Sequence, residues 1–152
     1  MEIRGIVAIV TGASAGIGLA TARLFTEHGA HVALAARSAD KLAHLAEELE
    51  GSLSVPTDMR DAGSIERMIK TVYDPYARID LLINNAGQGM YRPVEAVDLA
   101  QYREIIELNL FGPLLAMQAV IPIMRAQGGG MIVNVSSDVA KMHIPGLGAY
   151  AS

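Results

Sequence analysis

A glycine-rich turn between an apolar segment and a helical one constrains this chain more than any other feature. Residues 11–18 read T-G-A-S-A-G-I-G, and they follow the apolar run 6–10 directly. This order predicts a buried strand, a tight turn and a helix start, where free N–H groups and the helix dipole favour a phosphate. The G-x-x-x-G-x-G spacing differs from the commoner G-x-G-x-x-G fingerprint, and glycines needed only for close packing are the alternative explanation.

The composition is that of one compact domain rather than a nucleic-acid or disulfide-rich protein. The chain has 152 residues, of which 51% are apolar and 18% charged, with a net charge of −4 and no cysteine. The length allows one domain with a core. Because no basic cluster is present, we expect no nucleic-acid partner. Because cysteine is absent and the histidines show no metal-ligand spacing, we expect no metal site.

The sequence also favours a cytoplasmic protein without a membrane partner. The amino terminus lacks the charged and long apolar regions of a signal peptide. The most membrane-like stretch is 108–124, which polar residues, Pro113 and Pro122 interrupt. We interpret it as a buried helix that is too short and broken to span a bilayer.

Beyond the turn, apolar strands and amphipathic helices alternate. Further strands are predicted at 31–36, 52–55, 79–83 and 131–135, with a long helix at about 99–126. Strands that are apolar throughout predict a parallel sheet covered on both faces, and therefore an α/β fold. Ligands of such sheets bind at the carboxyl ends of the strands. All five predicted ends carry small or polar residues, which favours one extended ligand over five unrelated loops.

Four further motifs follow the glycine turn. They are Asn84-Asn85-Ala86-Gly87, Asn109 in the long helix, Ser137, and Tyr150 thirteen residues later. In order and spacing the set resembles the short-chain dehydrogenase/reductase family over the whole chain. The resemblance implies a Rossmann-type doubly wound parallel sheet with strand order 3-2-1-4-5. It also implies a bound nicotinamide dinucleotide and hydride transfer to or from a small-molecule alcohol or carbonyl substrate.

The resemblance implies that Ser137, Tyr150 and Asn109 are the catalytic residues. Tyr150 would exchange a proton with the substrate oxygen, and Ser137 would hydrogen-bond that oxygen. Free tyrosine has a pKa of about 10, so base catalysis at neutral pH needs a nearby cation. The family supplies a lysine four residues after the tyrosine, which would be position 154, beyond Ser152. The alternative to a catalytic role is loop capping for Ser137 and a surface position in a glycine-rich loop for Tyr150.

Asn109 has an argument of its own. The residue four positions later is Pro113, which has no N–H to donate to the Asn109 carbonyl and kinks a helix. In the family the equivalent carbonyl binds a water of the proton relay. A kink that follows the curvature of the sheet is the alternative.

The end of the second strand predicts NADP(H) as the preferred cofactor, with NAD(H) possible. Ala36 occupies the place of the carboxylate that binds the 2′-hydroxyl in NAD enzymes, and Arg37 follows it. A guanidinium can pair with a 2′-phosphate through two hydrogen bonds. A basic residue inside the glycine turn would support this choice, but the chain has Ala15 there. The resemblance implies that the cofactor contacts Gly12, Ser14, Gly16, Ile17, Gly18, Arg37, Ser38, Asp58, Met59, Asn85, Ala86 and Gly87.

We expect residues 1–152 to form a single dinucleotide-binding domain that lacks the C-terminal strands and helices of the family. The competing interpretation is a non-catalytic or truncated dinucleotide-binding module without turnover. The long helix resembles the family's dimer face, so we expect a homo-oligomer in the full-length protein.

Asp58 corresponds to the residue that contacts adenine in the family, and a cap for the next helix is the alternative role. His143 is interpreted as a solvated loop residue, with a position lining the substrate pocket as the alternative.

Overall fold

The structure is a computed structural model that describes residues 2–142 and 144–151, so His143 lies outside the described residues. Strands and helices alternate through the chain, as the sequence predicts. The strands are β1 (Val7–Thr11), β2 (His31–Ala36), β3 (Ser52–Pro56), β4 (Leu81–Asn84) and β5 (Met131–Asn134). The helices are α1 (Gly16–Glu27), α2 (Ala39–Glu48), α3 (Ala62–Tyr76), α4 (Leu99–Ile106), α5 (Gly112–Ala126) and α6 (Gly148–Ala151).

The five strands form one parallel sheet in the order β3-β2-β1-β4-β5, which confirms the predicted Rossmann-type topology. Thr11 pairs with Ala35, and Asn84 pairs with Asn134. The carboxyl ends of neighbouring strands therefore reach the same edge of the sheet. This shared edge brings together motifs that lie far apart in the sequence.

Apolar residues cover both faces of the sheet. On one face Val10 packs with Leu42 of α2, and on the other Ile9 packs with Val72 of α3 and Val120 of α5. All five side chains are fully buried. Burying a side chain of this kind contributes about 1.5–3 kcal/mol, so the two layers fix the positions of the strand ends.

The sequence predicts an amphipathic helix at 61–73 that Pro75 ends, and this predicted end is wrong. Helix α3 includes Pro75 and continues to Tyr76, with Ala77 in a left-handed conformation as its C-cap. A proline in the last turn costs a helix only one hydrogen bond locally. The Tyr76 ring lies 5.0 Å from that of His31, so the extra turn completes a packing contact with β2.

The long helix predicted at about 99–126 is present and continuous, so the interpretation of 108–124 as too short and broken to span a bilayer is wrong in length and continuity. A π-helical turn at Glu107–Phe111 joins α4 to α5. Pro113 lies in the first turn of α5, where a missing N–H costs little. By length and composition the segment Leu99–Ala126 is long and apolar enough to cross a membrane, and only 22% of its most apolar 18 residues are buried. The interpretation of 108–124 as a buried helix therefore holds for one face only. Its Ala116, Val120 and Met124 pack in the core, and the absence of a membrane partner stays a prediction.

Candidate functional site

A cavity of about 800 Å³ lies along the carboxyl edge of the sheet. Most of the residues predicted to bind the cofactor line it, namely Gly12, Ser14, Arg37, Ser38, Asp58, Met59, Asn85, Ala86 and Gly87. Gly16, Ile17 and Gly18 lie at the start of α1 and are not among its lining residues. The lining residues come from the ends of β1, β2, β3 and β4, so the cavity crosses most of the sheet.

The glycines of this turn serve close packing and leave backbone open to a ligand, the two explanations considered from the sequence. A Cβ on Gly12 would lie 2.8 Å from Asn85 Nδ2, and one on Gly18 would lie 2.5 Å from the same atom. These two glycines therefore allow the turn to pack against the Asn84-Asn85-Ala86-Gly87 motif. Gly16 has a φ of +55°, and a Cβ there would meet nothing within 4 Å. Its backbone is open to a ligand, and its positive φ favours glycine.

The start of α1 has unused hydrogen-bond donors. Its N-cap is Ala15, which has no side chain able to cap the helix. The Leu19 N–H donates to the Ala15 carbonyl at 3.2 Å, so the N–H groups of residues 16–18 precede the first helical bond. Helix geometry gives such groups no intrahelical acceptor, which leaves them available to an anion.

Thr11 joins the glycine turn to the end of β4. Its hydroxyl donates to the Ile83 carbonyl at 3.2 Å and accepts from the Asn85 N–H at 2.9 Å and the Ala86 N–H at 3.0 Å. Asn85 Nδ2 in turn donates to the Thr11 carbonyl at 2.9 Å. Thr11 is buried. No role for Thr11 was predicted from the sequence, although a polar residue at the end of an apolar strand indicates a side chain that needs hydrogen-bond partners.

The end of β2 presents an arginine and a hydroxyl without partners. Among the described residues, the Arg37 side chain forms no ion pair or hydrogen bond, although its charge helps to lower the pKa of Asp58. Ser38 occupies the N-cap position of α2, but its side chain makes no capping hydrogen bond. Both residues line the cavity, so both groups are available to a ligand.

Asp58, at the end of β3, is held by Arg60. Asp58 Oδ1 accepts from the Arg60 backbone N–H and Nε, both at 3.0 Å, and Oδ2 accepts from Nη2 at 2.7 Å. The hydrogen bond from the Arg60 side chain is the main reason that the pKa of Asp58 falls to about 2. The carboxylate is therefore charged at physiological pH. The alternative of a helix cap is wrong, because Asp61 caps α3 by accepting from the Gly63 N–H.

The sequence analysis missed Arg60 and Glu104. The two-residue spacing from Asp58 to Arg60 is a signal that could have indicated their pairing. Arg60 Nη1 also lies 3.4 Å from Glu104 Oε2 on α4. No local pattern relates positions 44 residues apart, and only the fold brings them together.

Asn109 lies in the π-helical turn, where the Gly112 N–H donates to the Glu107 carbonyl five residues back. This π-helical turn lies directly before Pro113, where the sequence predicts an irregular helix. Asn109 Oδ1 accepts from the Gln88 N–H at 3.0 Å, and Nδ2 donates to the Gln88 carbonyl at 2.9 Å. Its side chain thus fixes the loop after Gly87, a contact that the sequence analysis did not foresee.

The structure places Tyr150 beside the same loop. Tyr150 lies on α6, and a Cβ on Gly89 would be 4.0 Å from Tyr150 Cζ. Ser137 is at the N-cap of the 3₁₀ turn Asp138–Lys141, and its hydroxyl accepts from the Val139 N–H at 3.3 Å. In this structure the Ser137 hydroxyl therefore caps the 3₁₀ turn, which is the alternative role considered from the sequence. Its catalytic role stays a prediction.

Comparison with known proteins identifies the family to which this arrangement corresponds. The family model described as short chain dehydrogenase matches residues 6–152. An uncharacterized oxidoreductase of Staphylococcus saprophyticus is 35% identical over 98% of this chain. The chain spans 61% of that protein and between 12% and 61% of the curated relatives it matches.

Solved structures agree with this assignment. A metagenomic short-chain oxidoreductase in complex with NADP has a TM-score of 0.92 and 35% identity, over 99% of this chain and 71% of its own. A 7α-hydroxysteroid dehydrogenase complexed with NADH and a 7-oxo bile acid conjugate has a TM-score of 0.93 and 30% identity. That match covers 99% of this chain and 61% of the dehydrogenase chain.

Proposed function

This chain belongs to the short chain dehydrogenase family, and we propose that it binds a nicotinamide dinucleotide, with NADP(H) preferred over NAD(H). We propose further that the protein is an oxidoreductase for a small-molecule alcohol or carbonyl substrate. The observation that carries the proposal is one continuous cavity, lined by the unpaired Arg37 and running along the strand ends beside the uncapped start of α1. The pyrophosphate of a dinucleotide suits the start of α1, and the 2′-phosphate of NADP(H) suits Arg37.

The pyrophosphate is placed at the glycine turn. The N–H groups of residues 16–18 have no helical acceptor, and the helix dipole adds a partial positive charge there. The open backbone at Gly16 supports this assignment, because no Cβ keeps a phosphate away. No cysteine, metal or charged side chain is needed for the contact.

The 2′-phosphate is placed at Arg37 and Ser38. Ala36 offers no carboxylate to repel it, and the Arg37 guanidinium and the Ser38 hydroxyl lack other partners among the described residues. One solved relative holds NADP and another NADH, so the preference rests on these residues of this chain.

The remaining contacts are those that the family resemblance implies. Asp58 is placed at the adenine amino group, and the backbone of residues 85–87 beside the nicotinamide. When bound, the dinucleotide supplies or accepts the hydride. Tyr150 donates a proton to the carbonyl oxygen during reduction and removes it during oxidation. Ser137 hydrogen-bonds that oxygen, and the Asn109 carbonyl holds a water of the proton relay.

The test is a fluorescence titration of the chain with NADPH and NADH. Arg37→Ala should weaken NADPH binding by about 1.5–3 kcal/mol, the range of a charge-assisted hydrogen bond, and leave NADH nearly unchanged. Arg92→Ala is the matched control, because Arg92 lines the cavity next to Tyr91 and should not affect the preference. Equal losses for both cofactors in Arg37→Ala would contradict the assignment. Saturable binding without turnover under any tested substrate would favour a dinucleotide-binding module instead.

We also propose that the full-length protein is a homo-oligomer. Apolar side chains are exposed along the long helix, at Leu99, Leu110, Phe111 and Leu114. An exposed apolar patch on a helix face is typical of a protein interface. Light scattering on the purified protein checks this proposal, and Leu114→Glu should shift an oligomer toward the monomer. A wild-type monomer at every tested concentration would contradict it.

A further inference from the structure

The turn after β3, residues 58–60, is fixed from three sides. The Asp58 N–H donates to Ser64 Oγ at 3.0 Å, and Ser64 is buried on α3. The Met59 side chain is buried in the core, and its carbonyl lies so close to Gly112 that a Cβ there would overlap it. Arg60 reaches across to Glu104 on α4. The backbone that presents Asp58 therefore has little freedom.

Arg60 also removes the freedom of the Asp58 side chain. Its backbone N–H and Nε occupy Oδ1, and Nη2 occupies Oδ2. A carboxylate has about four acceptor positions, so three donors leave one position, on Oδ2. The Asp58 side chain is 34% exposed and lines the cavity, which leaves this position accessible to a ligand.

We propose that Arg60 is a positioning residue that makes this site select adenine over 6-oxo purines by holding the Asp58 carboxylate in one orientation. This inference rests on the proposed dinucleotide binding and adds the basis of base recognition to it. A carboxylate only accepts hydrogen bonds, so it matches the 6-amino group of adenine and repels the 6-oxo group of hypoxanthine.

The orientation of the Asp58 carboxylate decides the selectivity for adenine over hypoxanthine, because hypoxanthine also carries a hydrogen-bond donor, N1–H. Its N1–H lies next to the 6-oxo group, and a carboxylate that turns freely can accept from N1–H instead. A carboxylate held by three hydrogen bonds cannot make that change. Without Arg60, Asp58 would keep its charge at neutral pH but lose its fixed direction, and the discrimination between the bases would fall.

The test compares NADPH with its deaminated analogue, in which hypoxanthine replaces adenine. Wild-type chain should bind NADPH at least about tenfold more tightly than the analogue, since the analogue leaves a polar group facing the carboxylate. Arg60→Met keeps the aliphatic stem and should reduce this ratio to less than about threefold, mainly by weakening NADPH. Arg67→Ala is the matched control, because Arg67 pairs with Asp61 on the same segment and should leave the ratio unchanged.

A double-mutant cycle shows whether Arg60 acts through Asp58. Asp58→Asn should abolish most of the selectivity, because an amide can either accept or donate. In the Asp58→Asn background, Arg60→Met should change the ratio no further. A further reduction there would contradict the proposal.

Other outcomes separate this inference from the proposed function. If Arg60→Met weakens both dinucleotides equally, Arg60 has only a structural role and the inference is wrong. If it lowers the preference for NADPH over NADH, Arg60 contacts the 2′-phosphate and the inference is again wrong. If wild-type chain binds none of these dinucleotides, the proposed function fails together with the inference.

Discussion

Strands β1 and β5 belong to the same sheet but lie in different surroundings. Every residue of β1 is buried, and its end is joined to β4 through Thr11. In β5, Met131 is 46% exposed and Val133 is 39% exposed. The proposed cofactor contacts follow β1, β2, β3 and β4, whereas Ser137 and Tyr150 lie on the short turns after β5. If the proposed function is correct, binding and turnover should depend on different regions and be separable by mutation.

The largest expected effect is on turnover. In a form of the protein that transfers hydride, Tyr150→Phe should reduce the rate by about 10²–10⁴, because a general acid–base group is lost. The dissociation constant for NADPH should change less than about twofold, since Tyr150 is assigned no cofactor contact. Steady-state kinetics and fluorescence titration measure the two quantities.

The control for that variant is Tyr91→Phe. Tyr91 lines the cavity and its ring covers Gly146, so removing its hydroxyl perturbs the same region. Turnover in Tyr91→Phe should stay near that of the wild type. A Tyr150→Phe enzyme with normal turnover would exclude Tyr150 as the proton donor.

The two strands should also respond differently to the same substitution. Val10→Ala in β1 removes a fully buried side chain, whereas Val133→Ala in β5 removes one that is 39% exposed. We expect Val10→Ala to lower the free energy of unfolding by about 2–3 kcal/mol and Val133→Ala by less than about 1 kcal/mol. Urea denaturation of both variants gives the comparison. Equal losses would mean that β5 is as well packed as β1.

Thr11 connects the buried strand to the Asn85 loop, so its loss should affect stability and cofactor binding together. Thr11→Val keeps the shape but leaves the Asn85 and Ala86 N–H groups without their acceptor. Each unsatisfied buried group costs about 1–3 kcal/mol, and relaxation of the loop should keep the total near that range. Thr11→Ser retains the hydroxyl and should be close to wild type in urea denaturation. Equal losses in the two variants would contradict this account, because Thr11→Ser keeps the hydroxyl that accepts these hydrogen bonds and Thr11→Val does not.

The smallest expected effect is on acid stability. The pKa of Asp58 is about 2 in the folded protein, below its ordinary value of 3.8. A lowered folded-state pKa stabilises the protein above the unfolded value, and this contribution is lost as the pH falls from about 4 toward 2. Solvent screening reduces the effect, because the side chain is 34% exposed.

Asp58→Asn provides the measurement for this effect. The difference in unfolding free energy between wild type and Asp58→Asn should shrink between pH 4 and pH 2. A difference that stays constant over this window would show that the charge of Asp58 contributes nothing to stability.

The sequence predicted the fold well because the fold depends on local patterns. Apolar runs and glycine turns indicated the five strands and the helices before β5 but not α6, and the strand order followed from the family resemblance. The error at Pro75 has a physical cause: a proline near a helix end costs one hydrogen bond, and packing such as that of Tyr76 can outweigh it. The contacts of Arg60 with Glu104 and of Asn109 with Gln88 join distant positions, and no periodicity encodes them.

The most direct test of the account is to map NADPH binding on the chain by NMR. In an isotope-labelled sample, saturable shifts of the backbone amides should appear at residues 12–18, 37–38, 58–60 and 85–87. Residues 128–130, which precede β5 at the other edge of the sheet, should not shift. That pattern would establish one dinucleotide site across the strand ends. The absence of saturable shifts, or shifts concentrated at residues 128–130, would contradict the account.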